Sequence, residues 1–118
     1  MKLYNFLEAE LHPDCIHDGK GLCPHANIIP GEDFEAPIRF LNYTTLPAGA
    51  SIGLHKHGDD NELYILLSGE GHYIMNGESV PVHAGSICKT VPFCTHALEN
   101  DGKSKEDMRI LVIEGYNS

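Results

Sequence analysis

From residue 37 onward the chain alternates short apolar-rich runs with turn-forming residues. The runs fall at 38–46, 51–57, 62–67, 72–75, 79–83, 86–91, 95–99 and 108–114. Between them stand Pro-Ala-Gly-Ala at 47–50, Gly-Asp-Asp-Asn at 58–61, Ser-Gly-Glu-Gly at 68–71, Asn76-Gly77, Ala84-Gly85 and Asn-Asp-Gly at 100–102. Asn-Gly is the pair a two-residue hairpin selects, because both central residues take positive φ. No helical period intervenes, so the spacing predicts an all-β protein with little helix, an antiparallel sandwich or barrel. The first part of the chain reads differently. Residues 1–36 hold three histidines, two cysteines and the loop formers HDGKG and PGED. They predict an irregular N-terminal arm with at most a short opening helix or strand. The expected organisation is this arm followed by a barrel over 37–118, one domain overall.

Composition narrows the partners. Seventeen acidic residues against eight lysines and arginines give a formal charge of −9 in 118 residues. Nucleic acid and anionic membrane surfaces both require concentrated positive charge, so neither is expected as a partner. No apolar run approaches the ~20 residues of a membrane span. The opening MKLYNFLEAELH places glutamates where a signal peptide has its apolar core, so the expected location is cytoplasmic. In that compartment the four cysteines are expected to be reduced.

The candidate chemistry lies in Gly49–Gly69 and around His96. His55 and His57 are two apart on a strand, so their rings share a face. The turn at 58–61 would return Glu62 on the neighbouring strand, and His96 would arrive from across the barrel. Three imidazoles and a carboxylate suit one divalent transition metal, Fe, Mn, Ni, Co or Zn, with geometry rather than raw affinity selecting among them. On a six-coordinate ion these four leave two positions for a substrate; on tetrahedral zinc they close the site.

The anchors Gly49, His55-x-His57, Glu62 and Gly69 match the first motif of the cupins, and Gly85, His96 and Asn100 match the second. The chain resembles the small single-domain members. The resemblance covers about two thirds of the sequence and implies a jelly-roll (cupin) β-barrel, usually homodimeric and RmlC-like. It also implies a metal held at His55, His57, Glu62 and His96. One departure stands out. The second motif has proline-x-glycine where this chain reads Val91-Pro92-Phe93, so Phe93 occupies the glycine position.

Other residues are candidates beside a metal. Tyr64 shares the face of Glu62 and could act as a hydrogen-bond donor or acid; a core aromatic with a satisfied hydroxyl is the plainer alternative. Arg39 could pair with a substrate carboxylate, or with a surface acid. Cys94, two before His96, is a candidate substrate contact or a small packing residue, and Cys88 reads as core. The facing of His72 and His83 is open. Cys15, His17, Cys23 and His25 form two C-x-H pairs whose spacing fits no zinc finger; a lid or dimer-exchanged strand, with His12, His17 or His25 near the substrate, is the better reading of the arm. The chemistry points to a small-molecule ligand. The expected function is metal-dependent catalysis on a sugar derivative or a hydroxy or keto acid, as isomerase, decarboxylase, lyase or dioxygenase. The competing expectation is a non-catalytic small-ligand or metal-binding and sensing module.

Overall fold

The computed structural model of the protein describes residues 1–116. Ten strands and three single turns of 3-10 helix make up the described chain. The strands are β1 (His12–Asp14), β2 (Cys23–Pro30), β3 (Ile38–Leu46), β4 (Ser51–Lys56), β5 (Asp60–Ser68), β6 (Glu70–Met75), β7 (Glu78–His83), β8 (Ile87–Lys89), β9 (Thr95–Glu99) and β10 (Met108–Tyr116). They form a six-stranded sheet, β1-β2-β3-β10-β5-β8, and a four-stranded sheet, β4-β9-β6-β7. Neighbours in both sheets run antiparallel, as the spacing of apolar runs predicts, in the jelly-roll arrangement the cupin resemblance implies.

The core lies between the two sheets. Alternation places it there: Met108, Ile110 and Val112 of β10, and Tyr64 and Leu66 of β5, are buried while their odd-numbered neighbours are not. Leu46 and Leu98 join them at 0% exposure. The Asn76-Gly77 turn closes the β6–β7 hairpin with both residues at positive φ, 50° and 82°, the geometry that favours this pair.

The N-terminal segment is more regular than expected. It supplies two strands of the larger sheet, with β2 pairing along β3 (His25 opposite Thr44, Asn27 opposite Asn42). Pro24, Pro30, His25 and Asn27 break the apolar alternation, so nothing local announces an eight-residue strand. It forms because β3 would otherwise present an unpaired edge. The run expected at 86–91 is strand only over β8, and β5 begins two residues before Glu62, at Asp60.

Candidate metal centre

His55 and His96 stand directly opposite each other on β4 and β9. His96 therefore comes from the adjacent strand of the same sheet, not from across the barrel as expected. The carboxylate makes the crossing instead: after His57 the chain passes into the other sheet, and Glu62 reaches the imidazoles from β5. The side-chain donor atoms of His55, His57, Glu62 and His96 all lie within 4.8 Å of one another. His96 is fully buried, Glu62 and His57 nearly so, and His55 partly.

Each ring has an oxygen on its Nδ1 side. His55 Nδ1 is 2.7 Å from the Gly53 carbonyl, His57 Nδ1 is 3.0 Å from Asp60 Oδ1, and His96 Nδ1 is 3.0 Å from the Tyr73 hydroxyl. With each Nδ1–H donating outward, all three Nε2 lone pairs face one point. The Nε2 atoms of His57 and His96 are 2.7 Å apart, those of His55 and His96 3.0 Å. Glu62 Oε1 sits 3.3 and 3.2 Å from two of them, buried and without a hydrogen-bond partner. Lone pairs at this separation repel unless a cation lies among them. Neighbouring ligands of a six-coordinate ion with bonds of about 2.1 Å lie about 3 Å apart, which the four observed distances match. The donor set fits a transition metal on its own geometry.

A supporting layer was not anticipated. Asp60 and Glu114 are buried and gather with Arg39 behind His57. Burial opposes ionisation of Asp60, but hydrogen bonds from Glu114 and His57 outweigh it and hold its carboxyl below the usual range. Burial, and then Asp60 and Glu62, push Glu114 the other way, up to about 8. The two carboxyls are thus pulled in opposite directions, and Asp60, facing His57 Nδ1 at 3.0 Å, fixes the His57 tautomer. The available signal was Glu114 itself: an acid where the β10 alternation calls for an apolar residue.

The remaining candidates divide. Tyr64 is buried, its ring stacked on His96 at 5.0 Å and its hydroxyl 3.3 Å from His96 Nε2. Burial, then Glu62, hold its phenol well above the ordinary value. Arg39 lines the mouth of the site with its guanidinium 3.6 Å from Glu114. The Cys94 side chain is buried, and its carbonyl accepts the His57 backbone N–H at 2.8 Å. Asn100, the last anchor of the second motif, stays outside the donor set and ties down the carbonyls of Leu46 and Glu106. His72 pairs with Asp101 and His83 is exposed. Phe93 adopts φ +63°, the left-handed conformation a glycine would take, with its side chain out in solvent. The turn before His96 is kept despite the substitution.

The arm reaches the site through one residue. His17, in the left-handed region at φ 50°, ψ 42°, lines the mouth beside His55 and His57. Two glycines allow this approach: a Cβ on Gly53 would lie 1.9 Å from the His17 carbonyl, and one on Gly19 2.1 Å from the Ser51 carbonyl. Lys20 and Ser51 hydrogen-bond across the same contact. Cys15, His17, Cys23 and His25 do not gather into a metal-type cluster among the described residues. His25 pairs with Asp14 instead, and Cys23 is in the core.

A jelly roll carrying three imidazoles and a carboxylate at one point defines the class, and the comparisons agree. The family model of the cupin domain matches residues 42–114, and the chain belongs to the cupin family. An oxalate-binding protein of Thermotoga maritima is 34% identical over 108 residues, 89% of each chain. A crystal structure of a Thermotoga maritima protein described as a predicted oxalate decarboxylase aligns with a TM-score of 0.92 at 31% identity, covering 98% of this chain and 99% of that one. The cupin domain of Schizosaccharomyces pombe Cnp3 aligns with a TM-score of 0.79 at 14% identity, over 98% of this chain and 74% of that one. At that identity it speaks for the fold alone.

Proposed function

We propose that this cupin holds one divalent transition metal through His55, His57, Glu62 and His96 and captures a small, oxygen-rich carboxylate beside it. The observation that carries this is the convergence of four donor atoms, two of the Nε2–Nε2 separations being 2.7 and 3.0 Å, the spacing of neighbouring ligands on one ion. The 34% identical oxalate-binding relative supports the ligand class. A bound ion would supply Lewis acidity, polarising a carbonyl or carboxylate oxygen. The chain's own groups would do the rest. Arg39 offers a guanidinium fork to a carboxylate at the mouth, and Tyr64 keeps its proton and can donate it in a hydrogen bond. His17 narrows the entrance.

On this reading the ligand is turned over, by decarboxylation, isomerisation, lyase or dioxygen chemistry. One observation favours capture without turnover: Asp60 and Glu114 are committed to His57 and to each other, which removes two acids from direct work on a substrate. Purification without chelator, elemental analysis and oxalate titration test the proposal together. One equivalent of transition metal per chain, lost in His96→Ala along with oxalate binding, is the expected result. A folded protein that takes up no transition metal would sink it. Carbon dioxide release and oxygen uptake from the loaded protein then separate enzyme from binding module.

A further inference from the structure

Behind the donor set lies a second, inner cavity of about 100 Å³. It shares His17, Phe40 and Glu62 with the mouth but is otherwise a separate space. The six-stranded sheet lines it from Asp14 and His25 of the N-terminal strands across to Tyr64, with Ile16 and His17 from the connection between β1 and β2 and Ile52 from the other sheet. Asn42 of β3 lines it, and Asn42 Oδ1 is buried without a hydrogen-bond partner. The other such atom among the described residues is Glu62 Oε1, which a metal would satisfy. Nothing in the metal centre accounts for Asn42. A buried unpaired amide is costly, so its persistence in a cavity wall points to an occupant that pairs with it.

Register fixes the reach. Val112 pairs with Tyr64 on one side and Asn42 on the other, so Asn42 lies two strands, about 10 Å, from the strand carrying Glu62. The volume equals about three waters, room for a fragment of three to five non-hydrogen atoms. Both spaces carry carboxylates, Asp60, Glu62 and Glu114 at the mouth and Asp14 and Glu62 in the inner cavity, but Arg39 and Lys56 line only the mouth and no lysine or arginine lines the inner cavity. A second carboxylate is therefore unwelcome there. A hydroxyl suits Asn42, because it both donates and accepts and so satisfies the amide whichever way it is turned.

We propose that the inner cavity is a subsite for the uncharged, hydroxyl-bearing end of a short-chain 2-hydroxy or 2-oxo acid, and that Asn42 recognises that end. The proposal rests on the metal-and-carboxylate reading above. It narrows the ligand from oxalate-like acids in general to monocarboxylates with a hydroxylated tail.

Calorimetric titration of Mn(II)-loaded protein tests it with five probes: oxalate, glycolate, 2-hydroxybutanoate, 2,4-dihydroxybutanoate and malate. Glycolate reaches only the metal, and the other two hydroxybutanoates differ by one terminal hydroxyl. A site built to hydrogen-bond a hydroxyl discriminates against the analogue that lacks it. The expected order puts 2,4-dihydroxybutanoate about tenfold tighter than 2-hydroxybutanoate and malate. In Asn42→Leu that advantage disappears while glycolate affinity holds. Equal affinities for the two hydroxybutanoates in the wild-type protein overturn the subsite, since Asn42 then faces only water; so does a preference for malate. These comparisons need no variant, so a poorly folding Asn42→Leu leaves the test intact. If glycolate and oxalate also fail to bind, the metal-and-carboxylate reading falls and takes the subsite with it.

Discussion

His17 lies flat on His55, their ring centroids 3.6 Å apart and their planes 8° from parallel. Burial, followed by the nearby ring of His17, lowers the His55 pKa to about 4, and burial first of all lowers that of His17 too. The pair is two neutral rings, one poised as a donor and the other packed over it. His17, between β1 and β2 of the arm, thus forms part of the wall of the candidate metal centre.

His17→Ala removes the ring that backs His55 without touching a donor atom. Groups that orient metal-binding histidines typically contribute 10- to 100-fold to affinity. We expect metal release to a competing chelator to speed up by about tenfold, with the melting temperature little changed. Identical release kinetics would mean that the stack is incidental.

Gly53→Ala tests the arm's seat on β4. Its Cβ would meet backbone at 1.9 Å, the His17 carbonyl, which no rotamer change relieves. The arm must lift or β4 must shift, at a cost of about 1–3 kcal/mol for overpacking of this kind. Limited proteolysis should cut the variant between residues 10 and 22, where the wild type resists. Equal resistance would show that the arm is held elsewhere.

Phe93→Gly should stabilise the protein. Phe93 is 62% exposed, so little apolar burial is lost, and its φ of +63° is one that glycine adopts freely. Relief of a left-handed non-glycine residue is worth about 1 kcal/mol, read as a rise in denaturant midpoint at unchanged slope. A lower midpoint would reveal a stabilising role for the ring.

The four thiols should divide by burial. Cys15 is exposed, whereas Cys23, Cys88 and Cys94 are buried. Burial pushes the Cys23 and Cys88 thiols up to about 11, so at pH 8 both are protonated and unreactive, and thiolate forms only as the pH nears that value. A disulfide-exchange reagent at pH 8 should titrate one thiol in the native protein and four after denaturation. Two or more fast native thiols would contradict this packing.

Much of the architecture was written in local patterns. Strands β3 and β9 begin and end where their apolar runs do, because alternation with one buried face is a property of the residues themselves. Strand periodicity put His55 and His57 on one face, and the two motifs that resemble those of the cupins added Glu62 and His96 to the donor set. Missing from view was whatever depends on which strands become neighbours. His96 was expected from across the barrel and lies instead beside His55. β2 looked irregular, and only an open edge on β3 makes it a strand. Asp60 looked like part of a solvated turn and is the buried partner of His57.

By itself, then, the amino-acid order determined the strand pattern, the fold class and the four groups able to converge on an ion. The first two follow from periods of two and from the identities of neighbours a few residues apart, the four groups from two motifs well separated in the chain. Tertiary structure alone decided that Glu114 would gather with Asp60 behind His57, that His17 would cover His55, and that Asn42 Oδ1 would stand unpaired in an inner cavity. Each of those contacts joins positions far apart in the chain, and the free energy that selects them belongs to the packed sheets rather than to any local segment.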